Sequence, residues 1–203
     1  MSARDTLPMT EAKLDHPEPW TEAEYLKLDE TSNRIELIEG GLWARPGPSR
    51  PHRDVTRILQ GFIWPAAHAV GLRTHAPSNL RLAPGRILIP DLVVAKVGRL
   101  GNITDAGEAV LVCEITSPSN AATDRLLKMH LYAAAGIEWY LLVEPDMTEY
   151  ESITVRLLRL RGEHYVEHAV ASDGDALRSD LPFTINIPVT ALLDFQVGPA
   201  ECS

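Results

Sequence analysis

Four consecutive apolar residues, Val110-Leu111-Val112-Cys113, run directly into a carboxylate, Glu114, and then into Ile115-Thr116-Ser117-Pro118-Ser119. A strand that is apolar on both faces belongs in the middle of a sheet covered on both sides. A second apolar run, Ile87-Leu88-Ile89-Pro90-Asp91-Leu92-Val93-Val94, is broken by Pro-Asp. Proline removes a ladder donor and is normally found at edges or bulges. The aspartate beside it must be solvated, paired or bound to a metal, because burying a lone charge is costly. If the two strands pair, Asp91 and Glu114 converge at one end of the sheet.

The rest of the chain reads as strands with helices between and around them. Residues 1–19 are polar and proline-containing and are expected to be flexible; residues 20–195 form one domain and 196–203 a tail. Thr21-Glu22-Ala23-Glu24 is a capping-box pattern that starts a short helix running to about Leu28. The alternation around Gly40-Gly41 in Arg34–Trp43 predicts a β-hairpin. Val55, Ile58, Leu59, Phe62 and Ile63 recur at helical spacing between His52 and Ala69, with Pro65 expected to kink or end the helix. Strands are predicted at Thr74–Leu82 and Arg86–Lys96 around Pro84-Gly85, then at Ala109–Thr116, Glu138–Glu144 and Phe183–Ile187. A helix is predicted over Ser119–Ala135, a hairpin over Ile153–Leu160 and His164–Val170, and a short terminal helix after Pro188. The order predicts an α/β sandwich around one mixed sheet.

Composition removes several functions. The two cysteines, Cys113 and Cys202, show no CxxC or Cys/His spacing, so no disulfide framework, zinc site or redox pair is indicated. No apolar run reaches the roughly 18–20 residues a bilayer span needs, and the first residues lack a signal-peptide core. The expectation is a soluble, cytoplasmic protein with no membrane partner. The net charge of −9 argues against nucleic acid, yet residues 50–100 carry +6 between flanks of −5 and −10. That basic segment either attracts phosphate locally or is ordinary solvated surface.

Two hard oxygen ligands, completed by water and substrate phosphate, are what Mg²⁺ prefers. In the following helix Asp124, Arg125, Lys128 and Tyr132 share an arc of about 100°. Leu126, Leu127, Met129, Leu131, Ala133 and Ala134 fill the remaining, mostly core-facing arc. Lys128 could reach back to the strand end, where an ammonium orients water and stabilises charge on a phosphate. Each residue also has a plainer reading. Asp91 and Glu114 could cap amides or pair with arginine, and Lys128 could form a surface pair with Asp124 worth about 0.3–0.5 kcal/mol. Ser117 and Ser119 have no Gly-x-Ser-x-Gly context and suit helix caps; Tyr132 could simply pack, and His52 could be a structural hydrogen-bonder. No Walker A loop, dinucleotide glycine fingerprint or HExxH is present.

Taken together, Pro90-Asp91, Glu114-Ile115-Thr116-Ser117-Pro118-Ser119, Asp124-Arg125-Leu126-Leu127-Lys128 and Tyr132-Ala133-Ala134-Ala135-Gly136-Ile137 resemble the Uma-type restriction endonuclease family of the PD-(D/E)XK nuclease superfamily. Arg34–Gly40, His52 and Trp139–Pro145 resemble it too, so the similarity covers roughly residues 20–195. The resemblance implies a restriction-endonuclease-like core, a central mixed β-sheet flanked by helices with extra β-hairpins. It implies a metal-dependent endonuclease that hydrolyses DNA phosphodiester bonds with Mg²⁺ or Mn²⁺. Asp91 and Glu114 would be metal ligands, joined by the Ile115 carbonyl, and Lys128 the catalytic lysine. Glu36 resembles the acidic residue from the N-terminal part of the fold, with His52, Ser117, Asp124 and Tyr132 supporting the site. The superfamily's usual lysine lies two residues after the glutamate, where this chain has Thr116; Lys128 matches the family's displaced position. Position 41 is Gly where the family often has an acid. The rivals are a catalytically inactive module of the same fold that binds nucleic acid or protein, and a phosphoesterase acting on RNA or nucleotides. A homodimer would suit the cutting of two strands.

Overall fold

The computed structural model describes residues 10–11, 18–28, 34–45, 47–116, 122–146 and 151–194. Most of the segment 1–19, the tail 196–203, Ser117 and Ser119 lie outside the described residues, as does the Asp124 side chain. In chain order the elements are β1 (Thr10–Glu11), α1 (Glu22–Tyr25), β2 (Arg34–Ile38), β3 (Gly41–Arg45), α2 (Arg50–Ala69), β4 (Arg73–His75), β5 (Asn79–Ala83), β6 (Arg86–Leu88) and β7 (Leu92–Ala95). They continue with β8 (Ile103–Asp105), β9 (Ala109–Ile115), α3 (Ala122–Ala134), β10 (Trp139–Pro145), β11 (Ile153–Arg161), β12 (His164–Ala171), β13 (Ala176–Ser179) and β14 (Ile185–Pro188). Short 3-10 turns occupy Ala106–Glu108 and Val189–Leu193, the second standing where a terminal helix was expected.

The central mixed sheet has the order β12-β11-β10-β9-β7-β4. Where the strand pattern predicts one sheet, there is also a second of order β1-β3-β2-β6-β5-β8 and a small β13-β14 ladder. The predicted strands over 74–82 and 86–96 are each split, around Pro77 and at Ile89-Pro90-Asp91. Their halves β4 and β7 join the central sheet, whereas β5 and β6 join the second. Proline cannot donate to a ladder, so each break is a place where the chain can leave one sheet for the other.

In the central sheet β9 and β10 run parallel, in register from Leu111↔Trp139 to Ile115↔Val143. A parallel pair needs a long crossover, and α3 supplies it. One face of this sheet packs against Val55, Leu59, Ile63 and Ala67 of α2, with Leu177, Ile185 and Ile187 of the small ladder. The other face, Val93, Val112, Tyr140 and Leu142, is covered by Leu131 and Tyr132 of α3 and by Leu80, Leu82 and Leu88 of the second sheet. Both faces of β9 are therefore buried, as its apolar run requires.

Local signals explain the smaller elements. Thr21 and Glu24 form both halves of a capping box, but α1 stops after one turn with Leu26 as its C-cap. The β2–β3 hairpin turns through Glu39 (φ +52) and Gly40 (φ +80), the left-handed pair that a two-residue hairpin turn requires. A Cβ at Gly40 would come within 2.6 Å of the Pro19 Cβ, so glycine is also needed for the close approach. The exposed side of α3 differs from expectation: Leu126 and Leu127 are 61% and 40% exposed, whereas Lys128, Leu131 and Tyr132 are buried. The helix presents its lysine–tyrosine arc to the interior because carboxylates wait there. Among the described residues no helix is long and apolar enough to cross a membrane.

Pro65 neither ends nor breaks α2, which runs on to Ala69. The buried stripe Val55, Leu59, Ile63 and Ala67 holds the helix on the sheet across the missing hydrogen bond. The residue four positions earlier, whose carbonyl loses that bond, is the exposed Gly61, where water can take the place of the missing donor. Interior prolines cost up to about 3 kcal/mol. Pro65→Ala is therefore predicted to raise stability by about 1–3 kcal/mol, read as a higher urea midpoint at unchanged m-value; no gain would mean that the helix is already relaxed around the ring.

Candidate active site

The site is built where the chain crosses from β6 to β7. Three successive residues there lack ordinary ladder partners, and each is handled differently. The Ile89 N–H donates to Glu36 Oε1 at 2.9 Å. Pro90 has no N–H to satisfy. The Asp91 N–H donates to the Cys113 carbonyl at 3.1 Å, and the Asp91 carboxylate itself accepts from the Ile115 N–H at 2.8 Å. Asp91 thus replaces a strand carbonyl with a side-chain oxygen. Leu92 pairs with Cys113, so the preceding Asp91 and the following Glu114 are brought to the same end of the strand pair.

Three carboxylates are buried here: Glu36 is 0%, Asp91 1% and Glu114 5% exposed. Each has a cation. Arg34 of β2 donates to Asp91 Oδ1, and His52, in the first turn of α2, lies with Nε2 3.2 Å from Asp91 Oδ2. Lys128 of α3 bridges the other two, its Nζ 2.8 Å from Glu114 Oε1 and 2.9 Å from Glu36 Oε1. One helical turn further on, the Tyr132 hydroxyl donates to Glu114 Oε1 at 2.5 Å. Arg45 Nε stands 3.4 Å from Glu36 Oε2.

The electrostatics separate the three acids. Burial alone would raise the Asp91 carboxyl, but the His52 ring, the Arg34 guanidinium and the Ile115 N–H hold it well below the usual range. Burial also works against Glu36, where Lys128, Arg45 and the Ile89 N–H reverse it and leave the carboxyl lowered. At Glu114 burial wins: Lys128 offsets it only in part, Asp91 adds repulsion, and the carboxyl is raised. The Tyr132 hydroxyl is pushed far up by burial and by Glu114, so it stays a donor.

The cluster unites Glu36, His52, Asp91, Glu114, Lys128 and Tyr132 around Ile115. Arg125 turns elsewhere and donates to Glu144 at 2.7 Å. Thr116 cannot do the work of a lysine two residues after Glu114: both its N–H and its hydroxyl bond the Val143 carbonyl, at 2.8 and 3.3 Å. Sequence reasoning missed Arg34 and Arg45. The signal was available, since residues 34 and 36 share one face of a strand and Arg45 is the register partner of Arg34 across the hairpin.

Among the described residues no three His, Cys, Asp or Glu side chains converge as a metal-holding group. The donor set that is present, the Asp91 and Glu114 carboxylates beside the Ile115 backbone, consists of hard oxygens. That is the chemistry Mg²⁺ accepts from few protein ligands, with water and phosphate completing the shell. Glu36 adds a buried Oε2 without a hydrogen-bond partner among the described residues. The residues fit a hard divalent ion. A separate surface cavity of about 500 Å³ lies along residues 74–79 and 97–104, and none of the cluster lines it.

Removing one partner from a buried ion pair leaves an uncompensated charge, at a cost of about 3–5 kcal/mol. Lys128→Met is predicted to cost that much at neutral pH, measured by urea unfolding in EDTA. The variant would bury Glu36 and Glu114 without their shared cation, which raises their folded-state pKa values above the unfolded ones. Stability lost in this way returns as pH falls toward the ordinary carboxylate range, so the gap to wild type should shrink between pH 8 and pH 5. A gap that is constant with pH would contradict the bridging role.

The comparisons with known proteins agree with this architecture. The family model Uma2, described as "Putative restriction endonuclease", matches residues 22–190. No curated protein matches the chain at a significant level. The crystal structure of a "putative nuclease belonging to DUF820" from Anabaena variabilis superimposes with a TM-score of 0.62 at 21% identity. The match covers 86% of this chain and 98% of that one, and at this identity it speaks for the fold alone. Since the family model spans most of the chain, from α1 to the last 3-10 turn, this protein belongs to the Uma2 family.

Proposed function

We propose that the protein is a divalent-metal-dependent endonuclease that hydrolyses DNA phosphodiester bonds at the Asp91–Glu114–Lys128 cluster. The observation that carries this reading is the meeting of two hard carboxylates at adjoining strand ends with a buried ammonium 2.8 Å from one of them. Asp91, Glu114 and the Ile115 carbonyl would hold Mg²⁺ or Mn²⁺, which supplies positive charge for the scissile phosphate and acidifies the attacking water. Lys128 orients that water and neutralises charge growing on the phosphoryl oxygens. Glu36 and Tyr132 position the pair, one anchoring the ammonium and the other fixing Glu114 Oε1. Arg34, 16% exposed against 1% for Asp91, compensates Asp91 from the solvent side when no ion is held. A homodimer would bring two such sites together.

A second reading is favoured by one observation: every carboxylate of the cluster already has a cation beside it. A silent member of the family, binding nucleic acid or protein without cutting, would keep the cluster purely for stability. Asp91→Asn and Glu114→Gln distinguish the two, because both keep side-chain shape and hydrogen-bond acceptors. The predicted outcome is Mg²⁺- or Mn²⁺-dependent nicking of plasmid and single-stranded DNA by wild type, reduced about 10²–10³-fold or more in either variant, the scale of losing one electrostatic contact to a transition state. Thermal stabilisation by Mn²⁺ should vanish with activity. Equal cleavage by wild type and both variants would point to a contaminant, and the absence of metal stabilisation in wild type would favour the silent module.

A further inference from the structure

The nuclease reading leaves one surface of α2 unexplained. Arg50, Arg53, Arg57, Gly61, Trp64 and His68 are all exposed. At 100° per residue they fall within an arc of about 80°, opposite the buried stripe of Val55, Leu59 and Ile63. The stripe is about 27 Å long at 1.5 Å per residue. Its amino-terminal end carries the arginines, in the same turns as His52, which lies on the buried side of the helix with its ring 3.2 Å from Asp91. Its other end carries Trp64, 51% exposed, stacked on His68 with ring centroids 5.0 Å apart and an interplanar angle of 11°. The acid beside it is Asp54, which faces Arg57 at 3.7 Å.

We infer that this stripe binds an unpaired nucleic-acid strand, with the arginines on phosphates and the Trp64–His68 platform under a base. The inference rests on the nuclease reading and names its substrate class. Charge complementarity selects the occupant: in a chain of net charge −9, phosphate is repelled from most surfaces and drawn to a helix face with three arginines. The aromatic end selects an unpaired strand, because a base must be free of its duplex neighbours to stack on a side chain. An arginine stripe alone would read backbone in either form. A second copy of this chain fits less well, since a two-fold contact along the stripe sets arginine against arginine.

The test is fluorescence anisotropy with a labelled single-stranded oligonucleotide and its blunt duplex, in EDTA so that binding is read without cleavage. Trp64→Ala is expected to weaken single-strand binding about 5- to 100-fold, the stacking of one base, and to leave duplex binding unchanged; Trp64→Phe should retain most of it. Arg53→Gln with Arg57→Gln should weaken both ligands and lower the single-strand salt slope by about 1.4, two phosphate contacts. Duplex bound as tightly as single strand, or Trp64→Ala binding like wild type, overturns the inference. So does loss of a dimer in Trp64→Ala by sedimentation with oligonucleotide binding intact, which would assign the face to self-association. Wild type that cuts with Mg²⁺ while these variants bind normally sinks the inference and spares the nuclease reading. Variants that lose binding in a protein that never cuts do the reverse.

Discussion

The Lys128 ammonium, enclosed between Glu36 and Glu114, is the interaction on which the arrangement depends. It joins three pieces that are far apart in the chain: the β2–β3 hairpin of the second sheet, the end of central strand β9, and helix α3. Taking carboxylates out of water costs several kcal/mol each, so these elements can dock only with the cation between them. The same contact determines which side of α3 faces inward. Leu126 and Leu127 are left at the surface because turning them in would strand two buried carboxylates.

Around this bridge the charges nearly cancel: Asp91, Glu36 and Glu114 are matched by Arg34, Arg45 and Lys128, with His52 beside Asp91. The match is unequal. Asp91 is held strongly ionised, whereas Glu114 carries an unfavourable charge next to it. A divalent ion at the proposed site would relieve that repulsion directly. On the proposed reading, Glu114 would be a place where folding stability is given up for chemistry, with Glu36 and Tyr132 holding the lysine and the carboxylate in line.

Much of the fold was legible because hydrophobic patterning is local information. The covered strand at 109–115, the hairpins at Gly40-Gly41 and Gly162, and the crossover helix all follow from period and turn residues. The site was legible in its acids, since Pro90-Asp91 and Cys113-Glu114 each break an apolar run. The second sheet was not legible. Strand pattern reads Arg86–Lys96 as one strand interrupted by Pro-Asp, and does not say that the chain changes sheets at Pro90. Nor does periodicity reveal which arc of α3 is buried, because a lysine and a tyrosine count as polar until their partners on β2 and β9 are known. Arg34 was passed over for the same reason: its partner lies 57 residues away.

The central claim is that Asp91 and Glu114 jointly hold one divalent ion beside Lys128. The direct measurement is a crystal structure in Mn²⁺ with anomalous data at the manganese edge. The account predicts a single peak about 2.1 Å from an oxygen of each carboxylate, in the range of hard-cation bonds, with Arg34 withdrawn from Asp91 Oδ1. Fully bound Arg34 with no peak between the two carboxylates, at a manganese concentration that stabilises the protein, would contradict it.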